Sequence, residues 1–150
     1  MKNLSKLFFI LLIICLCSSF TRYQKYYTGQ RVFSNKFPQE IKDYNQDTFI
    51  KINNAKGDII VAIEDVNRKR VIQHSYIISY DTYSFKNIPV GTYVAKYMWT
   101  DANGRRRYEK DNSTMQFKSD EYGGYEITLE ETIMGNLSQS SISESDFFNN

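Results

Sequence analysis

The sequence is short of the residues that carry most covalent and metal chemistry. Its two cysteines, Cys15 and Cys17, lie close to the N-terminus, and it has one histidine, His74. If the N-terminal segment is removed, no cysteine remains, which excludes a disulfide framework, a thiol nucleophile and a cysteine-ligated zinc site. The lone histidine stands in the strand-like run VIQHSYI and is more simply a structural residue than an acid-base catalyst.

Other catalytic signatures are missing as well. No G-x-S-x-G elbow surrounds a serine, and no glycine-rich phosphate loop is present. Glu64 and Asp65 are adjacent in a predicted strand, where neighbours point to opposite faces, and this disfavours a carboxylate-dependent hydrolase. We therefore predict a protein that is not an enzyme, with no catalytic residue, no metal site and no cofactor.

Neither sign of charge dominates the sequence. The chain has 19 lysines and arginines against 17 aspartates and glutamates. Removal of Lys2 and Lys6 with an N-terminal leader would leave 17 of each. A balanced chain gives no reason to expect nucleic acid as the partner.

The N-terminus has the pattern of a secretory signal peptide. Two lysines precede an apolar run over residues 7–17, and small residues follow. The run is too short to span a bilayer, which takes about 20 residues. We predict cleavage between Ser19 and Phe20, which leaves no stable membrane span and a protein that is secreted or periplasmic, at the cell envelope. A lipoprotein is disfavoured because Ile14 and Leu16, rather than small residues, precede the two cysteines.

Composition divides the chain into four parts. The signal peptide is predicted to cover residues 1–19, and a polar leader with scattered aromatic residues, contributing at most one edge strand, covers residues 20–46. The folded domain is predicted over residues 47–132. The tail, residues 133–150, is rich in serine and asparagine and is predicted to be disordered, with docking of Phe147 and Phe148 as the alternative.

The hydrophobic pattern between leader and tail is that of short strands. Ile59, Val61 and Ile63 recur with period two, and the later run YEITLE alternates apolar and polar residues. The predicted strands are residues 49–52, 59–65, 71–79, 82–88, 92–101, 105–110, 114–118 and 125–131. Seven to eight strands with a turn between each pair predict an all-β fold, a single antiparallel β-sandwich of Ig-like or prealbumin-like type.

A hairpin is predicted around Asn103-Gly104, the sequence that a two-residue type I′ turn prefers. The expected facing pairs are Asp101 with Arg106, Trp99 with Tyr108, Tyr97 with Lys110, and Lys96 with Asp111. This register pairs opposite charges and stacks the only tryptophan on a tyrosine. It predicts that one face of the first strand is buried, with Tyr93, Ala95, Tyr97 and Trp99.

The corner that precedes this hairpin resembles a known family. The sequence FKNIPVGTY, residues 85–93, after a strand of the type GDIIVAIED, is similar to the corner of carboxypeptidase regulatory-like and collagen-binding-B-type modules. The resemblance covers about residues 48–131 and implies a prealbumin-like sandwich. Modules of that family are extracytoplasmic and mostly non-catalytic, so the resemblance implies a binding or accessory role.

Aromatic and arginine side chains of the hairpin are the candidate ligand-binding residues: Tyr97, Trp99, Arg105, Arg106 and Arg107. The aromatic rings suit stacking on a sugar, and the arginines suit an anion. The simpler alternatives are a buried pair of rings and a solvated set of charges. We predict a non-catalytic module that binds a protein or glycan of the cell envelope; the alternative is an enzyme inhibitor or immunity-type protein that forms a tight complex with one target.

Overall fold

A computed structural model of the chain describes residues 26–130 and 139–148. The predicted signal peptide, the Ser19–Phe20 cleavage site, the start of the leader and residues 133–138 of the tail lie outside these residues. In the described part, no helix is long and apolar enough to cross a membrane. Strands dominate and form two packed sheets, which confirms the prediction of an all-β sandwich.

Each predicted strand is present, with ends that move by at most two residues. The described residues form β1 (Thr48–Asn54), β2 (Ile59–Asp65), β3 (Arg70–Ile77), β4 (Thr82–Lys86), β5 (Gly91–Thr100), β6 (Arg106–Asp111), β7 (Met115–Phe117), β8 (Gly123–Leu129), β9 (Gln139–Ser141) and a short helix, α1 (Glu144–Phe148). The strand β9 and the helix α1 were not predicted.

The strands are divided between a small and a large sheet. The small sheet has the order β4-β1-β8, and the large sheet has the order β3-β2-β5-β6-β9, with β7 also paired to β5. One pair departs from the antiparallel prediction, because β8 runs parallel to β1, with Ile52 opposite Ile127. The prediction was wrong at this pair because residue alternation shows which face of a strand is buried but not the direction of its neighbour.

The two sheets enclose an apolar core to which nearly every strand contributes. Ile50 and Ile52 alternate with half-buried residues along β1 and are completely buried. On β5, the face that was predicted to be buried is buried, since Tyr93, Ala95 and Tyr97 belong to this core. Trp99 packs against its edge, where the Lys56 ammonium lies 4.5 Å from the centroid of the indole ring.

The register of the β5–β6 hairpin differs from the prediction by one residue. The observed pairs are Lys96–Lys110, Tyr97–Glu109, Met98–Tyr108, Trp99–Arg107 and Thr100–Arg106. The predicted stacking of Trp99 on Tyr108 was therefore wrong. The two rings belong to opposite sides of the large sheet, because Trp99 packs on the core between the sheets and Tyr108 on the outer face.

The turn explains the shift in register. The Gly104 N–H donates to the Asp101 carbonyl at 2.9 Å, and Gly104 has a φ of +76° whereas Asn103 does not take a positive φ. The Asp101 carboxylate accepts the backbone N–H groups of Asn103 at 3.0 Å and Arg105 at 2.9 Å. An aspartate at this position favours a type I turn followed by a left-handed glycine, which makes a three-residue loop in place of the predicted two-residue loop.

The outer face of the large sheet carries a second apolar cluster. Ile60, Ala62 and Met98 project from the sheet, and Phe37 of the leader and Phe147 of α1 cover them. Residues 139–148 had been predicted to be disordered, and this was wrong: Phe147 is completely buried. The alternative of docked phenylalanines is therefore the one observed, and burial of the Phe147 ring contributes about 1.5–3 kcal/mol towards ordering the segment.

The described part of the leader, residues 26–46, forms turns and loops and no strand. It nevertheless pairs locally with the edge of β3. The Gly29 N–H donates to the Tyr76 carbonyl, and the Tyr76 N–H donates to the Gln30 carbonyl, both at 2.9 Å. Further along, the Ile41 N–H donates to the Ile72 carbonyl at 3.0 Å. The leader thus replaces an edge strand by a few isolated hydrogen bonds.

A tyrosine of the small sheet reaches across to the large one. The Tyr125 hydroxyl of β8 accepts the Gln116 N–H and donates to the Gln116 carbonyl, both at 3.1 Å. Its ring lies 5.3 Å from the ring of Phe117 in an edge-to-face arrangement. These contacts tie β7 to the opposite sheet on the side that faces away from β5.

Candidate functional site

A groove of about 950 Å³ lies on the outer face of the large sheet, at the end that carries the β5–β6 turn. We call it the outer groove. Its leader side is formed by Tyr26, Val32 and Phe33, and its sheet side includes Asp58, Ile60, Tyr76, Met98, Trp99, Thr100 and Arg106. Most of the lining residues therefore belong to strands of the large sheet, namely β2, β3, β5 and β6. The regular sheet gives their side chains fixed positions.

One wall of the outer groove is fixed by the Asp58 carboxylate. One of its oxygens accepts the Tyr76 hydroxyl, and the other accepts the Ser79 N–H at 2.9 Å. Burial and the hydrogen bond to Asp58 raise the pKa of Tyr76, so this phenol remains protonated. The Tyr76 ring in turn lies 5.3 Å from the ring of Tyr26 in an edge-to-face pair. Their hydrogen bond fixes both side chains, so this wall presents an aromatic ring beside an exposed carboxylate.

The opposite wall carries a positive charge. The Arg106 guanidinium lies 3.8 Å from the Glu144 carboxylate of α1, and both side chains are more than half exposed. An exposed pair at this distance contributes little to stability, typically less than about 1 kcal/mol. The Arg106 side chain is therefore accessible to a second anion at the edge of the groove.

The structure does not bring the five candidate residues of the sequence analysis together in one site. Arg106 lines the outer groove, whereas Trp99 only borders it, because its ring packs on the core between the sheets. Tyr97 does not, because it is 1% exposed and its hydroxyl donates to the Asp111 carboxylate at 2.6 Å inside the protein. Arg107 pairs with Asp101 at 2.9 Å, and Arg105 is exposed at the turn. A surface that includes Tyr97 is therefore excluded in this conformation.

Several lining residues could not be found from the sequence. Phe33 belongs to the leader, which has no periodic pattern, and Asp58 sits in the turn before β2. Phe33 reaches the groove because the leader folds back over the outer face, whereas the pairing of β2 with β3 brings Asp58 to Tyr76. The sequence does contain one signal for a covered outer face, the unbroken apolar run over residues 59–63. A strand that is buried on both faces has such a run in place of alternation, and β2 is buried at every position.

A buried group of charges lies under α1, next to the second apolar cluster. The Glu64 carboxylate contacts the Lys96 ammonium and, at 3.3 Å, the Lys110 ammonium. The Lys96 ammonium also donates to the Asp146 carbonyl at 2.5 Å. Glu64 is 7% exposed and Lys96 is 3% exposed, so this charge cluster holds the fold and is closed to a ligand.

The carboxylates that were considered for hydrolysis have structural partners. Glu64 belongs to the charge cluster, and one Asp65 oxygen accepts the backbone N–H groups of Asn67 at 2.9 Å and Arg68 at 3.0 Å, which closes the β2–β3 turn. Among the described residues, no three histidine, cysteine, aspartate or glutamate side chains are grouped so that they could hold a metal ion.

His74 is buried beside Phe37, with ring centroids 4.4 Å apart. In the described part of the chain, neither of its ring nitrogens has a hydrogen-bond partner. Burial, with a smaller contribution from the nearby charge of Arg31, lowers the pKa of His74 to about 4. The ring is therefore neutral at physiological pH, as a structural residue of the second cluster.

This burial predicts a loss of stability in acid. Between pH 6.5 and 4 the unfolded chain binds a proton at His74 that the folded chain rejects. The contribution of neutral His74 to the free energy of unfolding is complete above pH 6.5. It falls with decreasing pH, by up to about 3 kcal/mol at pH 4. The measurement is urea unfolding at a series of pH values for the wild type and His74→Leu. The difference between the two curves isolates His74 from the other acids, and a difference that does not change with pH would contradict the prediction.

The chain has no match among known proteins in three comparisons, with protein-family models, with curated proteins and with solved structures. The resemblance of residues 85–93 to carboxypeptidase regulatory-like modules is therefore still a prediction. What the fold and the groove define is a class: a β-sandwich whose large sheet is covered on both faces and carries an open groove on the outer one.

Proposed function

We propose that the protein is a non-catalytic binding module that acts outside the cytoplasm, at the cell envelope, where its outer groove contacts a protein or a glycan. The observation that carries the proposal is the groove itself, an open surface with an apolar floor and an exposed arginine at its edge. Aromatic residues and arginine are the residue types most enriched at the centres of binding interfaces. The extracytoplasmic location rests on the signal-peptide pattern of residues 1–19.

The non-catalytic part of the proposal rests on the environment of the titratable groups. His74 is buried against an aromatic ring, and Glu64 is paired with two lysines. Neither is within reach of a substrate in the outer groove. Asp58, which does line the groove, has both oxygens engaged by hydrogen bonds within the protein. These hydrogen bonds hold the carboxylate in place, and the described residues that line the groove include no histidine or second carboxylate to work with it.

Affinity capture from native envelope and culture fluid tests the proposal. The bait is the wild-type chain, and the groove variant is Tyr26→Ala with Arg106→Ala, which changes two exposed side chains of the groove. A matched control, Tyr44→Ala with Arg70→Ala, removes one exposed tyrosine and one exposed arginine at the other end of the sandwich. All three proteins are first checked for equal thermal unfolding.

We expect a partner that is retained by the wild type and the control and is lost by the groove variant. Retention of the same partners by all three proteins would place binding outside the outer groove and contradict the proposal. A single enzyme captured in a stoichiometric, inhibited complex would identify the inhibitor class instead.

A further inference from the structure

The floor of the outer groove is apolar, and this restricts the ligand. Val32, Phe33, Ile60 and Met98 contribute the lining between the leader and the sheet. Such a floor gains free energy by covering apolar atoms, at roughly 25 cal/mol per Å². It therefore favours a ligand with a protruding apolar side chain over one that presents only hydroxyl groups.

Two polar side chains of the groove are partly engaged within the protein, which makes them less available to a sugar. Recognition of a neutral glycan needs several donors and acceptors that converge on its hydroxyl groups, because each buried hydroxyl without a partner is costly. Of the described lining residues, Asp58 already accepts two hydrogen bonds from Tyr76 and Ser79. The Tyr76 hydroxyl is occupied in the same interaction. These two side chains therefore have fewer hydrogen-bonding positions left for a sugar hydroxyl.

The groove carries an exposed cation, Arg106, across from the Asp58 carboxylate of the other wall. Arg106 is only loosely paired, at 3.8 Å from Glu144, and its side chain is 55% exposed. Its guanidinium has five donors in a planar fork, and that fork suits a carboxylate in bidentate geometry. A partner with a carboxylate at this edge would complement the charge.

From these contacts we infer that the outer groove binds a segment of a protein partner in which a large apolar side chain stands next to an aspartate or glutamate. The apolar side chain lies on the floor at Met98, and the carboxylate pairs with Arg106. The inference rests on the proposed binding function and names the ligand class for that site. Protein is favoured over glycan because apolar side chains make up the floor of the groove and the exposed Arg106 stands at its edge.

A displayed library of random twelve-residue peptides tests the inference without knowledge of the natural partner. The full chain, expressed with its own N-terminal segment, is the target, and Arg106→Glu is the counterselection. Arg105→Glu is the matched control, because it makes the same charge change one residue away from the groove lining. Enriched peptides are synthesised and titrated, with Met98 methyl and Arg106 side-chain NMR signals as the readout of position. A glycan array is probed in parallel.

We expect enriched peptides to contain Leu, Ile, Met or Phe adjacent to Asp or Glu and to shift the Met98 signal on titration. Arg106→Glu should weaken their binding by about tenfold or more, since like charges in contact repel, and Arg105→Glu by less than about threefold. Salt should weaken the binding as well. Enrichment of basic or neutral peptides, or equal loss in both variants, would overturn the inference.

The remaining outcomes separate the inference from the proposed function. Glycans that bind at Met98 and Arg106, with no peptide enriched, would overturn the peptide partner and leave the binding function intact. If neither peptides nor glycans bind, and capture also finds no partner that depends on the groove, both the inference and the proposed function are wrong.

Discussion

Glu64→Gln should lower the free energy of unfolding by about 3–5 kcal/mol, because it removes the carboxylate that neutralises two lysines. Lys96 is almost completely buried, and without Glu64 it keeps only the neutral carbonyl of Asp146 as a partner. A cation left in that environment has lost its hydration and gained no counter-charge. The loss is a large part of the 5–15 kcal/mol that stabilises a domain, so it should be visible as a marked decrease in the urea midpoint.

Two further variants test this explanation. Lys96→Met should cost less than Glu64→Gln, because Glu64 keeps Lys110 as a partner after the change. The double variant should be more stable than Glu64→Gln alone, since it removes the unpaired buried cation with the anion. If the double variant were instead destabilised by the sum of the two single effects, Glu64 and Lys96 would not be coupled. The explanation by a buried, neutralised charge cluster would then be wrong.

Phe147→Ala should also destabilise the protein by about 3–5 kcal/mol, the usual cost of truncating a phenylalanine in a core. The ring is completely buried, with centroids 5.8 Å from Phe37 and 5.5 Å from Tyr108. Its removal leaves a cavity between the leader and the large sheet and frees α1 from the face that it covers. Thermal unfolding of the variant, followed by circular dichroism, measures the loss.

The neighbouring residue provides the control. Phe148 is half-buried and packs on Phe33, with the Lys36 ammonium 4.2 Å from its ring centroid. Phe148→Ala should therefore cost clearly less than Phe147→Ala. Hydrogen exchange of the β9 amides adds a second readout, because loss of the Phe147 anchor should release this strand. Equal and small losses of stability from the two substitutions would mean that the tail does not contribute to the apolar core.

The strands and the buried faces could be predicted from the sequence because both depend on local pattern. Tyr93, Ala95 and Tyr97 alternate with residues of the other face, and that alternation alone places them in the core. The hairpin register could not be predicted, because Asn103-Gly104 suits two turns and the choice depends on the Asp101 carboxylate two residues earlier. The parallel partner of β1 depends on how the chain crosses between the sheets, which no short pattern records.

The candidate site was predictable only in part. Arg106 was named because it belongs to a conspicuous run of arginines, and it does line the outer groove. Tyr97 was named for its aromatic ring and is buried, because residues two apart on a strand share a face but not a depth below the surface. Phe33, Asp58 and Tyr76 come from three separate segments. Their meeting is a result of tertiary folding, and the outer groove exists only where the leader lies over the large sheet.

The Tyr125 hydroxyl has a consequence for solubility. A strand with an unpaired edge can accept a strand from another molecule and so begin an aggregate. At the exposed side of β7, the amide and carbonyl of Gln116 are already occupied by one phenol from the opposite sheet. A foreign strand would have to break both hydrogen bonds before it could add there. A single side chain of the opposite sheet thus makes this three-residue strand a poorer template for aggregation.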